Sequence, residues 1–484
     1  MEPVAGADDD ELDATCASTG PLMTQFRSDL LANGLGFDAM SAPSDRLAAS
    51  RLPGLSPADN TQPAVFGGQQ RAFIVLVFAL VVMAILPYLV KNLNVTRVTS
   101  DSDLLAEVSL TRGLATTAAV ALLLVCSLIV LGHGRADRSI SAPLILLVAL
   151  VGPYIISPTL PEIEDLVKVT LGVAVIVTVW SIAAPVDGLK WVPITASVIG
   201  IYSIIGGLLF PEYMNRPNSA KALIANWELA GPFWGSNVLG LYCLFSLALT
   251  PLVTNVRWRM LNRFVLCATI VASSARTAVI VAGILVLWWI FCRFRSEISI
   301  RRAGTVLIGC CAAAVVALPL LTSNQYAFVG RGYAWAESLT LWKESPWVGL
   351  GVHFVGPHFK TYSASWTFNH GHNLVIDSLV RSGLVGLGLV VIILLTAVRS
   401  TRAFDDDSPH QIALFGYLIA FLAASATEVN WTLLPNRPLF PVVGLIFIVL
   451  ICREITRPAG AKLAQTIGSG GANPADPRVS KRLP

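Results

Sequence analysis

Residues 257–302 read RWRMLNRFVLCATIVASSARTAVIVAGILVLWWIFCRFRSEISIRR, and the fold turns on how this stretch is divided. One uninterrupted helix over 263–294 would be roughly 45 Å long, against a bilayer hydrocarbon core of about 30 Å. Arg257, Arg259 and Arg263 precede the apolar run, and Arg293, Arg295, Arg301 and Arg302 follow it. Basic residues stay on the cytoplasmic side, so the chain must cross an even number of times between the two clusters. The reading is two short helices broken at SSAR (273–276), with Arg276 at the outer face.

The rest of the chain agrees. Of 484 residues, 54% are hydrophobic and only 13% charged, and mean hydropathy is +0.67. A soluble domain carries about 25% charged residues. Apolar segments recur near 72–90, 113–132, 140–157, 166–184, 191–210, 236–254, 303–321, 373–397, 411–428 and 437–452. Together with the divided stretch they give an all-α polytopic membrane protein of about 12 transmembrane helices. Both termini fall on the cytoplasmic side, and Arg399, Arg402, Arg453, Arg457 and Lys462 fit that orientation. Two loops lie outside, about 211–235 and a longer, partly helical one at about 322–372.

The domain expectation has three parts: a disordered cytoplasmic tail at 1–70, a membrane domain at 71–454 and a second such tail at 455–484. The tails are rich in Pro, Ser, Asp and Gly, a composition that buries little apolar surface; no signal peptide is expected. The net charge of +4 is small and its basic residues sit in short loops, so they act as topology signals and nucleic acid is not a partner. Eight cysteines form no CxxC pair and give no redox or disulfide framework.

Chemistry gathers on the longer outer loop. Its end reads GHNLVIDSLVRSGLVGL over 371–387, which puts His372 at the water-facing lip of an apolar helix. Histidine can accept a hydroxyl proton near neutral pH, so a base at a membrane rim points to a lipid-borne substrate. Asp377 and Arg381 stand four apart, in the favourable order for a helical ion pair. The stretch RGYAWAESLTLWKE (331–344) reads as an amphipathic helix opened by Arg331, with Trp335, Leu339 and Trp342 on one face. That face lies at headgroup depth, packs as a lid on the bundle, or does both, since a lid over a lipid-facing groove suits a lipid-linked substrate. Arg276 and Arg331 either snorkel to the interface or present planar forks to phosphate oxygens. His353, His358, His370 and His372 also cluster here, but no cysteine or acid stands at ligand spacing, so no metal or other cofactor is expected.

These residues resemble the bacterial O-antigen ligase and polymerase superfamily. Its signature is His-Asn, nine residues, then Gly-x-x-Gly, matched by His372, Asn373, the nine residues 374–382, Gly383 and Gly386. The Ser-Arg step between two helices is similar to SSAR with Arg276, although Ala275 intervenes. An Arg-x-x-x-Trp followed by Gly-x-Gly is matched by Arg331, Trp335, Gly349 and Gly351, and a Gly…Asn…Gly helix opening by Gly231, Asn237 and Gly240. Leu387 departs from the Gly, Thr or Tyr of the ligase form.

The resemblance implies a metal-independent, inverting glycosyltransferase of the GT-C type in the bacterial inner membrane. Its donor would be an undecaprenyl-diphosphate-linked glycan, its acceptor another glycan or a lipid A-core-type hydroxyl. Membrane lipids and other polysaccharide assembly proteins complete the implied partners. His372 would be the base and Arg276 and Arg331 the diphosphate ligands, with Asn373 orienting the imidazole. Ligase and polymerase both remain open. So does a flippase for lipid-linked sugars, although such proteins place ionisable groups near the midplane, and here they gather at the rim.

Overall fold

The computed structural model describes residues 63–94, 104–134, 140–157, 161–217, 222–224, 227–295, 298–324, 327–352 and 371–455. All lie in the unit Thr61–Pro484. His353, His358, His370 and most of both expected tails fall outside the described residues. The first helix begins at Pro63, inside the span assigned to the N-terminal tail.

Every apolar segment read from the sequence carries a helix. The first five are α1 (Pro63–Asn94), α2 (Leu104–His133), α3 (Ser141–Ile155), α4 (Ile163–Ser181) and α5 (Trp191–Leu209). A single turn, α6 (Pro211–Met214), leads into a small antiparallel pair, β1 (Asn215–Pro217) and β2 (Trp227–Leu229). Then come α7 (Ser236–Ala248), α8 (Val256–Ala272), α9 (Arg276–Phe294), α10 (Ile300–Leu321) and α11 (Ala327–Trp342). The last three are α12 (Leu374–Arg402), α13 (Pro409–Ser425) and α14 (Gly444–Ile455). Among the described residues, six helices are long and apolar enough to cross a membrane, and four more apolar helices are shorter. This is a polytopic helical membrane protein.

The divided stretch breaks where the charges require. α8 has 17 residues and α9 has 19, with SSAR as the turn between them. Ser274 takes φ +54° there, and its hydroxyl accepts the amide of Leu223 at 2.9 Å. At the opposite end Arg263 of α8 lies 4.1 Å over the Trp289 ring of α9, locking the two helices side by side.

The core runs through α7, α13 and α14. α13 (PHQIALFGYLIAFLAAS) is apolar nearly all round and buried along most of its length, as such a helix must be. Phe245, Phe421, Phe447 and Trp431 form an aromatic nucleus, with Phe421–Phe447 and Trp431–Phe447 centroids 5.0 and 5.2 Å apart. The buried Tyr417 hydroxyl donates to the Val442 carbonyl at 3.0 Å. α11 packs on α12, and Trp335 is fully buried beneath it against Phe328. Of the two readings of that face, the lid against the bundle is the one the packing realises at Trp335.

Candidate functional site

The site is built on a broken helix. Gly383 inside α12 has φ 60° and ψ −162°, which interrupts the helical ladder. The stretch 346–351 inserts its backbone into the gap. Leu350 N donates to Val380 O at 2.7 Å and Gly351 N to Arg381 O at 3.2 Å. Leu384 N and Val385 N donate back to Pro346 O and Trp347 O, at 2.9 and 3.1 Å. Four of the backbone groups freed by the break are thereby satisfied, as non-helical backbone in a membrane protein requires. A Cβ at Gly349 would meet Ser382 N at 2.5 Å, and one at Gly383 would overlap the Trp347 carbonyl. Both glycines also have positive φ, so no L side chain fits at either. Gly-x-Gly and Gly-x-x-Gly, far apart in sequence, are one packing unit.

His372 sits just before α12, half-buried, with φ +47°. Such a backbone in a non-glycine residue is strained and persists only when its neighbours fix it. Asn373 fixes one side. Its Oδ1 caps α12 by accepting Val375 N and Ile376 N at 2.9 and 3.1 Å. Its Nδ2 donates to Val315 O of α10 at 2.9 Å and to Ala426 O at 3.0 Å. The amide expected to orient the imidazole is thus fully engaged with main chain, and its hold on His372 runs through the backbone. Asp377 fixes the other side, accepting Gly371 N at 3.2 Å. Asp377 also pairs with Arg381 Nε at 3.0 Å, and Arg381 Nη1 donates to Val352 O at 2.7 Å. The expected ion pair therefore ties residue 352 to residue 371.

Three consecutive residues after α13 gather the remaining parts. Ala426 holds Asn373 as described. The Thr427 hydroxyl meets that of Thr277, one residue beyond Arg276, at 3.0 Å. Glu428 accepts from Arg331 Nη2 at 2.5 Å in a largely buried pair. The stretch 426–428 thus touches Arg331 and the immediate neighbours of Arg276 and His372. Arg276 itself is exposed at the first residue of α9. Arg331 lies in the second turn of α11, which starts earlier than expected, at Ala327.

Gly240 backs the SSAR turn, and Gly231 packs close against Ser203 of α5. A Cβ at Gly240 would meet Ala275 Cβ at 2.5 Å and Ser273 Oγ at 2.8 Å, and one at Gly231 would overlap Ser203 Oγ. Close approach of α7 to the turn needs the missing side chains. Glu428 was not among the residues singled out from sequence. Its one signal is an acid closing an otherwise apolar run, and an acid in such a place needs a partner.

Residues 261–391 match the O-antigen ligase family. That stretch, from α8 into α12, is similar to the O-antigen ligase superfamily. The matched region spans SSAR, Arg276, Arg331, the paired glycine motifs and His372, while Glu428 lies beyond it. A relative in Rhizobium meliloti (strain 1021), the exopolysaccharide production protein ExoQ, is 24% identical over 312 residues, covering 58% of this chain and 68% of that protein. The superfamily is one of glycosyltransferase-like enzymes acting on polysaccharide and lipid-linked glycans.

Proposed function

We propose that this protein is an inverting glycosyltransferase that moves a glycan from undecaprenyl diphosphate to an acceptor hydroxyl at the outer face of the inner membrane. The observation that supports it best is the convergence on 426–428 of Arg331, the neighbour of Arg276 and the Asn373 that fixes His372. His372 takes the proton of the acceptor hydroxyl as its oxygen attacks the anomeric carbon. The bond from that carbon to the diphosphate oxygen breaks, and the diphosphate leaves with the electron pair. A single displacement inverts the anomeric centre. Arg276 and Arg331 neutralise the charge that develops on the leaving group, a task that metal ions perform elsewhere. Glu428 engages one Nη of Arg331 and fixes the direction of its fork, leaving other N–H groups to the phosphate oxygens.

A polymerase reading differs only in its acceptor, a second lipid-linked glycan. The name of the Rhizobium relative, an exopolysaccharide production protein, favours it, as does Leu387. Purified protein given a lipid-linked donor in EDTA tests the shared chemistry. A new glycosidic bond is expected. Translocation of label without bond formation would instead make it a flippase, and activity lost in EDTA but restored by zinc or magnesium would defeat the arginine clamp. Ligase and polymerase separate in a deletion strain: single repeats accumulate without a polymerase, whereas long chains stay on the carrier without a ligase.

A further inference from the structure

The end of the bundle remote from His372 holds a cavity of about 690 Å³ lined by Ile298, Ser299, Arg301, Arg302 and Arg402. α12 runs 29 residues from Leu374 beside His372 to Arg402, so this cavity lies at the far end of that helix from the candidate site. We propose that it binds the phosphate headgroup of an anionic membrane phospholipid.

Its walls come from two helices, the start of α10 and the last residue of α12. Two of the local carboxylates, Asp406 and Asp407, are already engaged, and Asp405 is exposed to water. Asp406 accepts from Ser299 Oγ at 2.6 Å and from Arg301 N at 3.1 Å, and Asp407 pairs with Arg295. Asp406 thereby answers the positive end of α10, so the helix terminus is not what awaits an anion. What remains is guanidinium. Arg301 Nη2 donates to Phe404 O at 3.0 Å, while its buried Nε has no hydrogen-bond partner among the described residues. Arg302 and Arg402 are exposed, and neither has an ion-pair partner among the described residues. Topology alone requires basic residues at this end but not their convergence on one cavity.

The apolar surroundings favour a lipid over a soluble anion. Ile298 in the wall is 56% exposed, Val306 one turn along α10 from Arg302 is 66% exposed, and Leu395 two turns along α12 from Arg402 is 64% exposed. Acyl chains can follow both helices while the headgroup stays among the arginines, and basic pockets between membrane helices hold anionic headgroups in this way. Arginine forks suit phosphate oxygens better than a point charge does.

Native mass spectrometry on the full chain, titrated with phosphatidylglycerol or phosphatidylcholine, tests this without any transfer assay. Phosphatidylglycerol should bind in preference, and Arg302→Gln/Arg402→Gln should weaken it at least about tenfold, the loss of one charge-assisted bond. Arg257→Gln/Arg259→Gln removes the same charge from the start of α8 and should change binding less than about twofold. Arg402→Gln alone, at an exposed helix end, gives the same comparison if the double variant fails to fold. Equal losses for both pairs would reduce the effect to bulk charge and overturn the site. Inorganic phosphate displacing the lipid at millimolar concentration would mark a soluble-anion site instead and overturn the lipid assignment.

Discussion

His372 carries a left-handed backbone, which costs an L-residue about 1–2 kcal/mol. Asn373 and Asp377 hold the residues on either side of it. Strain retained under such restraint suits a group that must meet its substrate in one geometry. His372→Ala should lower glycan transfer by about 10²–10⁴-fold with normal membrane insertion, and His372→Gly should be equally inactive yet about 1 kcal/mol more stable, because glycine removes the strain. Transfer at matched expression and melting in detergent read both; an active alanine variant removes the base assignment. Arg331 is constrained differently, by a buried carboxylate. Arg331→Lys keeps a charge opposite Glu428, so it should stay folded while transfer collapses, because lysine cannot present two parallel N–H groups. Arg331→Ala leaves Glu428 buried and unpaired by Arg331, and should cost about 3–5 kcal/mol of stability as well. Near-normal transfer by the lysine variant would leave Arg331 a structural residue only.

At the scale of elements, the unit that matters is a helix broken by design and repaired by a distant turn. α12 cannot continue through Gly383, and 346–351 cannot adopt its path without Gly349. The same turn leads to Val352, which Arg381 holds, while Asp377 holds Gly371. Gly383→Ala should therefore displace 346–351 and destabilise the protein well beyond the roughly 1 kcal/mol that glycine-to-alanine strain alone gives. Gly388→Ala is the control: it lies on the same helix with open space around its Cα, and alanine there should be neutral or slightly stabilising. The two melting temperatures decide the point, and equal values would mean that the turn does not depend on the break.

Across the whole molecule, the candidate site around His372 and the arginine cavity occupy opposite ends of α12. In a cysteine-depleted background, Trp347→Cys and Arg402→Cys should react with a membrane-impermeant thiol reagent from opposite sides of sealed vesicles. Trp347 is 68% exposed beside the Gly383 break, which makes it an accessible reporter of that end of the helix. Labelling of both from one side would overturn the crossing of α12 and with it the outer placement of His372. Phe245, Phe421 and Phe447 of the aromatic nucleus are fully buried where α7, α13 and α14 pack together.

The sequence by itself determined the helices, because apolar length and flanking charge are local quantities that the bilayer reads directly. It placed the SSAR break by the same logic, and it marked His372, Arg276, Arg331 and the paired glycines by type and spacing. Tertiary structure alone decided what those residues hold. Arg331 meets Glu428 across 97 positions, and Asn373 reaches Val315 and Ala426 across 58 and 53. Nothing local fixes such partners, since a buried carbonyl or carboxylate takes whichever donor the packing brings within reach. The face of α11 was ambiguous for a related reason: a tryptophan stripe suits a headgroup layer and a protein neighbour equally, until α11 packs on α12 through Ala334 and Val380 and Trp335 is buried.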